Sequence, residues 1–161
     1  MKYLLVLAIV LSTVCLSYQA KVVFYSDIKS EIINFLAGAE SYVLMSSLAV
    51  NDPDVLDVLK HLEDEGIVVK IASEYPVSGF ENRVDSNSKA LLHAKFIVID
   101  GEHVVFGSSN FTESGLEKDL NDMIVFEDED VAKFFEDLFS SVWNGFPNTG
   151  YAHTRFGDFY A

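Results

Sequence analysis

Residues 91–121 read LLHAKFIVIDGEHVVFGSSNFTESGLEKDLN, and this stretch holds most of the side chains in the chain that could do chemistry. His93 and Lys95 stand two apart in an apolar run. In a strand, side chains two apart leave the same face, so an imidazole and an ammonium would share a surface with Ile97 and Ile99. Asp100-Gly101 is a two-residue hairpin signal. Closing the turn between Ile99 and Glu102 puts Lys95 opposite Phe106 and His93 opposite Ser108, with Asn110 one step beyond on the same face. A nucleophile or proton carrier, a fixed positive charge and neutral donors side by side suit a phosphoryl group. Taken alone, the pair His93 and Lys95 reads first as a structural histidine and a lysine snorkelling to solvent. The Asp-Gly turn and the mirrored Gly107-Ser108-Ser109-Asn110 segment reverse that preference.

The string His93-x-Lys95-x4-Asp100, followed by Gly107-Ser108-Ser109-Asn110-Phe111-Thr112, resembles the signature of the phospholipase D superfamily of phosphodiesterases. It is most similar to the small branch whose chains carry one copy of the motif, which includes secreted or periplasmic bacterial endonucleases. The resemblance implies a phospholipase D-like fold in which His93 is the nucleophile. Lys95 and Asn110 would bind phosphate, Ser108 would lie on the phosphate-binding edge, and Asp100 would support the site. It implies no metal and no other cofactor. A further acidic residue usually orients the histidine; here the corresponding place falls on Asn121, with Asp122 one residue later. Asparagine accepts a hydrogen bond from imidazole but brings no charge. Asp122 substitutes only if the register differs, because a one-residue slip turns a strand side chain to the other face.

The family mechanism uses two histidines and this chain has one motif copy. That implies a homodimer with a single active site at the two-fold axis, where the two His93 side chains face each other. No obligate partner of another kind is implied.

With 161 residues, the chain is long enough for one domain with a real core. Its 25 acidic and 11 basic side chains give a formal charge of -14. That is unfavourable for a protein that grips nucleic acid by neutralising many phosphates. Lys70, Arg83, Lys89 and Lys95 nevertheless fall in the half that bears the motif. Residues 1–20, MKYLLVLAIVLSTVCLSYQA, read as a secretory signal peptide cleaved after Ser17 or Ala20. Residues 21–161 would then be a secreted or periplasmic phosphodiesterase domain; if uncleaved, the leader would anchor it to a membrane. The single cysteine, Cys15, lies in the leader, so the mature domain has no disulfide. No histidine and cysteine spacing suggests zinc.

The elements that must position these residues follow from the apolar pattern. A strand over 21–25 leads into a helix capped by Ser26-Asp27 and ended by Gly38. A strand lies within 41–50, a helix begins at Asn51-Asp52-Pro53 and runs to Glu65, and a strand covers 67–72. Strand, helix, strand, helix, strand predicts an α/β fold with a mixed, largely parallel sheet flanked by helices, one domain per chain. Residues 73–89 read as a long loop that could cover the site, and 90–100 with 103–107 as the hairpin. Residues 110–118 read as a loop or weak helix, and 120–126 as a strand. A helix over 131–143 is preceded by the acidic run 127–130. The aromatic tail, 145–161, suggests a surface being covered: its own domain, a second protomer or lipid. His61 reads as a surface residue and His103 as a rim residue near 96–98. His153-x-Arg155 lacks the lysine of a second motif.

The resulting expectation is metal-independent phosphodiester hydrolysis through a phosphohistidine, most simply by a secreted endonuclease acting on DNA or RNA. A lipid phosphodiesterase is the alternative that the acidic charge and aromatic tail favour. A low-activity phosphate-binding protein is the one that Asn121 suggests.

Overall fold

The computed structural model describes residues 20–84, 91–145 and 151–160. The expected leader lies outside them except for Ala20, and so do Lys89 and Phe146. Among the described residues are β1 (Ala20–Phe24), α1 (Ile28–Leu36), β2 (Tyr42–Ser47), α2 (Pro53–Asp64), β3 (Val68–Ser73) and β4 (Glu81–Val84). They continue with β5 (Phe96–Ile99), β6 (His103–Gly107), α3 (Glu113–Glu117), β7 (Asp122–Glu127), α4 (Glu129–Asn144), β8 (Tyr151–Thr154) and β9 (Gly157–Tyr160). None of these helices is long and apolar enough to cross a membrane.

Local chemistry sets the helix ends. Asp52 caps α2 by accepting from the backbone N–H groups of Asp54 and Val55, each at 3.1 Å, and Pro53 takes the first helical position. Asp128 caps α4 through Val131 N–H at 2.8 Å. Gly145 closes α4 with φ +75°, a left-handed conformation that glycine adopts without penalty. The expected weak helix after Asn110 is α3, capped by Thr112.

Seven strands form one sheet in the order β1-β7-β6-β5-β2-β3-β4. The fold is α/β with a mixed sheet between helices, as the alternating pattern predicts, but the parallel part is smaller than expected. Only β2-β3 and β3-β4 are parallel; the other four pairings are antiparallel. The cause lies in the second half of the chain. A tight turn joins β5 to β6, which only antiparallel neighbours allow, and β7 returns beside β6. β1 runs in the same direction as β2, yet it lies at the far edge against β7, with Val22 opposite Ile124.

Within the expected loop over 73–89, the described residues 73–84 hold more order than expected. β4 lies within them, parallel to β3, and the Asn82 side chain pins the connection. It accepts from Val77 N–H at 3.0 Å and donates to the Ile71 carbonyl at 3.0 Å and to Ser73 Oγ at 2.9 Å. Glu81-Asn82-Arg83-Val84 has no apolar alternation by which a sequence could announce this strand.

Two layers cover the sheet. On one face, Ile28, Ile32 and Leu36 of α1 and Val55, Leu59 and Leu62 of α2 pack on Val43, Met45, Ile71, Ile97 and Ile99. On the other face, Val131, Phe134, Phe135 and Phe139 of α4 pack on Phe96, Val98, Val104 and Phe126. Part of the aromatic tail covers its own domain here. Phe156 and Phe159 meet Phe126 with ring centroids 4.9 and 5.8 Å apart. Burial of each ring is worth about 2 kcal/mol, enough to hold a two-stranded hairpin that would be marginal alone.

The strand directions bring the carboxyl ends of β1, β2, β3, β4 and β6 to the same end of the sheet as the amino ends of β5 and β7. Open α/β sheets bind ligands at the carboxyl ends of their strands.

Candidate active site

His93 and Lys95 reach this end in an extended segment just before β5, not inside the strand. The hairpin register differs from the expected one by a single residue. The Asp100-Gly101 turn forms, with positive φ at both residues and Glu102 N–H donating to the Ile99 carbonyl. The ladder then restarts with His103 opposite Ile99, leaving Glu102 as an extra residue. Its carbonyl accepts Asp128 N–H at 2.7 Å, an anchor to the start of α4 that is invisible within the hairpin sequence. Phe106 therefore faces Phe96 rather than Lys95, and Gly107 N–H bonds the Lys95 carbonyl at 3.1 Å. Ser108 still arrives at the same end, paired by its N–H with the carbonyl of Asp122. Gly107 cannot carry a side chain: a Cβ there would lie 2.2 Å from Asp122 O.

Lys95 is buried, 6% exposed, and its ammonium donates to the His93 carbonyl at 2.6 Å. Burial pushes its pKa down, because a low-dielectric setting disfavours the charged form. The His93 ring is exposed and makes no hydrogen bond among the described residues. Asn110 accepts at 3.4 Å from Ser47 Oγ, at the end of β2, and its amide nitrogen donates to none of the described residues.

The Ser108 hydroxyl is engaged with its neighbours. Its oxygen accepts Asp122 N–H at 3.1 Å, and it lies 2.9 Å from Asn121 Oδ1 and 3.0 Å from Asp122 Oδ1. Asn121 also donates to the Gly115 carbonyl at 2.9 Å, so its amide ties α3 to the end of β6 and makes no bond with His93. Asp122, rather than Leu120, begins β7.

Asp100 is not gathered with the others. It lies beyond the opposite end of β5, where its carboxylate accepts the N–H groups of Glu40, Ser41 and Tyr42 at 2.7 to 2.9 Å and fixes the start of β2. His103 lies there too, opposite Ile99 and Glu127 rather than near 96–98, with its ring against Phe35. His61 is exposed on α2, 3.4 Å from Glu65. His153 pairs with Asp158 at 2.5 Å on the β8–β9 hairpin, outside the cluster.

Sequence reasoning missed the residues that hold the His93 segment. Ser46 Oγ donates to the Ala94 carbonyl at 3.2 Å, and Glu74 Oε2 accepts Leu92 N–H at 3.0 Å. The available signal was two hydroxyls, Ser46-Ser47, at the end of an otherwise apolar run, and a carboxylate directly after β3.

Charge is distributed unevenly. Every described lysine and arginine except Arg83 and Lys95 forms an ion pair with a carboxylate. Lys29 alone bridges Asp52, Asp54 and Glu117, and its hydrogen bonds to Asp54 and Glu117 raise its pKa. Lys95 thus brings to the site a cation that pairs with no carboxylate among the described residues. At the same end of the sheet, Phe24, Tyr25, Tyr75, Leu91 and Leu120 are exposed, Leu120 by 87%. Among the described residues, no group of three or more His, Cys, Asp or Glu side chains could hold a metal ion.

Residues 72–143 match the family model described as cardiolipin synthase, PLD-like domain. A mitochondrial cardiolipin hydrolase of Chlamydomonas reinhardtii is 24% identical over 130 residues, covering 73% of this chain and 58% of the relative. The chain thus spans little more than half the length of that relative. Among solved structures, the phospholipase D family member Nuc from Salmonella typhimurium superposes with a TM-score of 0.70 at 22% identity, covering 79% of this chain and 95% of Nuc. NucT from Helicobacter pylori gives 0.68 at 13% identity, covering 79% and 96%.

Proposed function

We propose that the chain is a phosphodiesterase of the phospholipase D superfamily and that it hydrolyses phosphodiesters through His93. The observation that carries this reading is the pairing of an exposed imidazole with a buried ammonium, neither of which meets a carboxylate among the described residues, at the end of the sheet where the Asn110 amide nitrogen donates to none of those residues. An anion would complete all three.

His93 attacks phosphorus, the bond to the leaving oxygen breaks, and a phosphohistidine forms. The leaving oxygen takes a proton from a second imidazole. That imidazole then accepts a proton from water as the water attacks phosphorus, which releases the monoester and restores His93. One motif copy supplies one imidazole, so the second is His93 of another copy across a two-fold axis. The exposed Phe24, Tyr25, Tyr75, Leu91 and Leu120, at the same end of the sheet as His93, support such a contact by leaving large side chains to be covered. Lys95, with two ammonium hydrogens left after its bond to the His93 carbonyl, and Asn110 Nδ2 hold the non-bridging oxygens. Ser108, exposed at the same edge, donates to an oxygen only by releasing Asn121 or Asp122.

The substrate reading is a secreted or periplasmic endonuclease, supported by the leader-like residues 1–20. With Arg83 and Lys95 the described cations outside carboxylate pairs, its grip on nucleic acid is short and centred on the scissile phosphate. A phospholipid is the second reading, favoured by the exposed Phe24, Leu91 and Leu120 at the same end of the sheet.

Single-stranded DNA, duplex DNA, RNA and phosphatidyl-lipid vesicles, each offered with EDTA to the wild-type chain and to H93A, test both. Cleavage of one class, lost by a thousandfold or more in H93A (on the order of a removed nucleophile), names the substrate. Turnover that survives H93A overturns the mechanism. A strictly monomeric active enzyme overturns the shared site.

A further inference from the structure

The residues flanking His93 are held more firmly than its place in the chain requires. Residues 91–95 have no place in the strand ladder, which begins at Phe96. On the amino side of His93, the Leu92 side chain is buried against the α4 layer and its N–H donates to Glu74 at 3.0 Å. On the carboxyl side, Ser46 holds the Ala94 carbonyl and Gly107 the Lys95 carbonyl. The imidazole therefore projects from a short span clamped at both ends. Of the clamps, Glu74 alone is a carboxylate, and a hydrogen bond to an ionised acceptor is roughly twice as strong as a neutral one. Asn121 gives no such support, because its amide is held by Gly115 and Ser108.

We infer that Glu74 is a positioning residue for the phosphodiesterase reaction, holding His93 at attacking distance through the N–H of Leu92. The inference rests on the reading of His93 as nucleophile. Glu74 touches neither substrate nor the reacting atoms; it acts on the backbone one residue before the nucleophile. A displacement of about 1 Å at a reacting centre can cost a hundredfold in rate, and loosening one end of a five-residue span permits such a displacement.

The test uses the full chain and bis(4-nitrophenyl) phosphate as a generic phosphodiester, with amide exchange at Leu92 as a readout independent of turnover. In E74A, kcat falls by about ten- to a hundredfold while KM stays within about twofold, and the Leu92 amide exchanges faster. E74Q, whose amide oxygen can accept the same N–H, recovers most of the rate and the protection. Should E74A fold poorly, E74D, which withdraws the carboxylate by one methylene, must show the same loss of kcat with its melting temperature intact. Wild-type kcat in E74A overturns the inference, and so does an E74Q as slow as E74A or a slow E74A whose Leu92 amide stays protected. Wild-type turnover that survives in H93A sinks the nucleophile itself and, with it, any role in positioning it.

Discussion

The two ends of β5 are built from similar residue types and put them to opposite use. Beyond Ile99, polar groups find partners within the chain: Asp100 takes three backbone N–H groups, the Tyr42 hydroxyl donates to Glu136, Glu102 receives Asp128 N–H, and Arg155 pairs with Asp128. His103 Nδ1, buried beneath Phe35 without a partner, is the exception. Before Phe96, among the described residues, the His93 imidazole makes no hydrogen bond, the buried Lys95 ammonium meets one carbonyl, and Leu91 is exposed. Native proteins rarely leave buried polar groups undersatisfied, and where they do a missing partner is the usual reason. Apart from His103, the turn end satisfies its polar groups as folded, whereas the described groups at the His93 end keep hydrogen-bonding capacity that a bound anion would use.

Substitutions at the two ends should separate function from stability. The largest effect belongs to K95M, in which kcat/KM falls by about a hundred- to a thousandfold, the usual loss when a group that stabilises transition-state charge is removed. Its stability at neutral pH does not fall, since a buried cation that meets no carboxylate among the described residues is removed. The pH dependence has a defined sign. The folded protein depresses the Lys95 pKa below its ordinary 10.5, so the penalty of burying the charged form is fully present below the folded pKa. It fades as pH rises from the folded value towards 10.5. The melting temperature of K95M relative to wild type is accordingly highest at neutral pH, and the gap narrows through that window. Wild-type turnover declines as the ammonium loses its proton, beginning below the ordinary lysine range.

D100A reverses the pattern. Three N–H groups lose a charged acceptor and stability falls by about 2 kcal/mol, with water replacing part of the loss. Turnover per folded molecule stays near wild type, as denaturant midpoints and kinetics on the same preparation would show; an active-site collapse in a stable D100A would erase the distinction between the two ends. The smallest effect is Y42F, which removes the bond to Glu136 between β2 and α4 and costs about 1 kcal/mol.

Much of this was legible from spacing. Apolar periodicity located α1, α2 and α4, and Asp52-Pro53 marked where α2 begins. The motif spacing brought His93, Lys95, Ser108 and Asn110 to one end of the sheet. What escaped depends on contacts between distant segments. β4 is defined by Asn82 bonding to Ile71, Ser73 and Val77, which no local pattern encodes. The antiparallel majority depends on β7 returning beside β6 and receiving β1, a pairing of the first described residues with a strand about a hundred positions later. Asp100 shares the motif's spacing but serves the start of β2, because a turn residue belongs to whichever segment its side chain meets.

The unpaired Glu102 bears on how the motif is counted. A shortened hairpin lacking that residue would keep His93, Lys95, Ser108 and Asn110 in order, yet β6 would have to slide by one position against β5 or against β7. Either slide exchanges the two faces of one strand, sending core residues such as Val104 outward and uncoupling Gly107 from the close approach of Asp122. The number of residues between the two halves of the signature is thus a phase setting for the sheet, and a search that tolerated variable spacing there would admit chains unable to assemble the pocket.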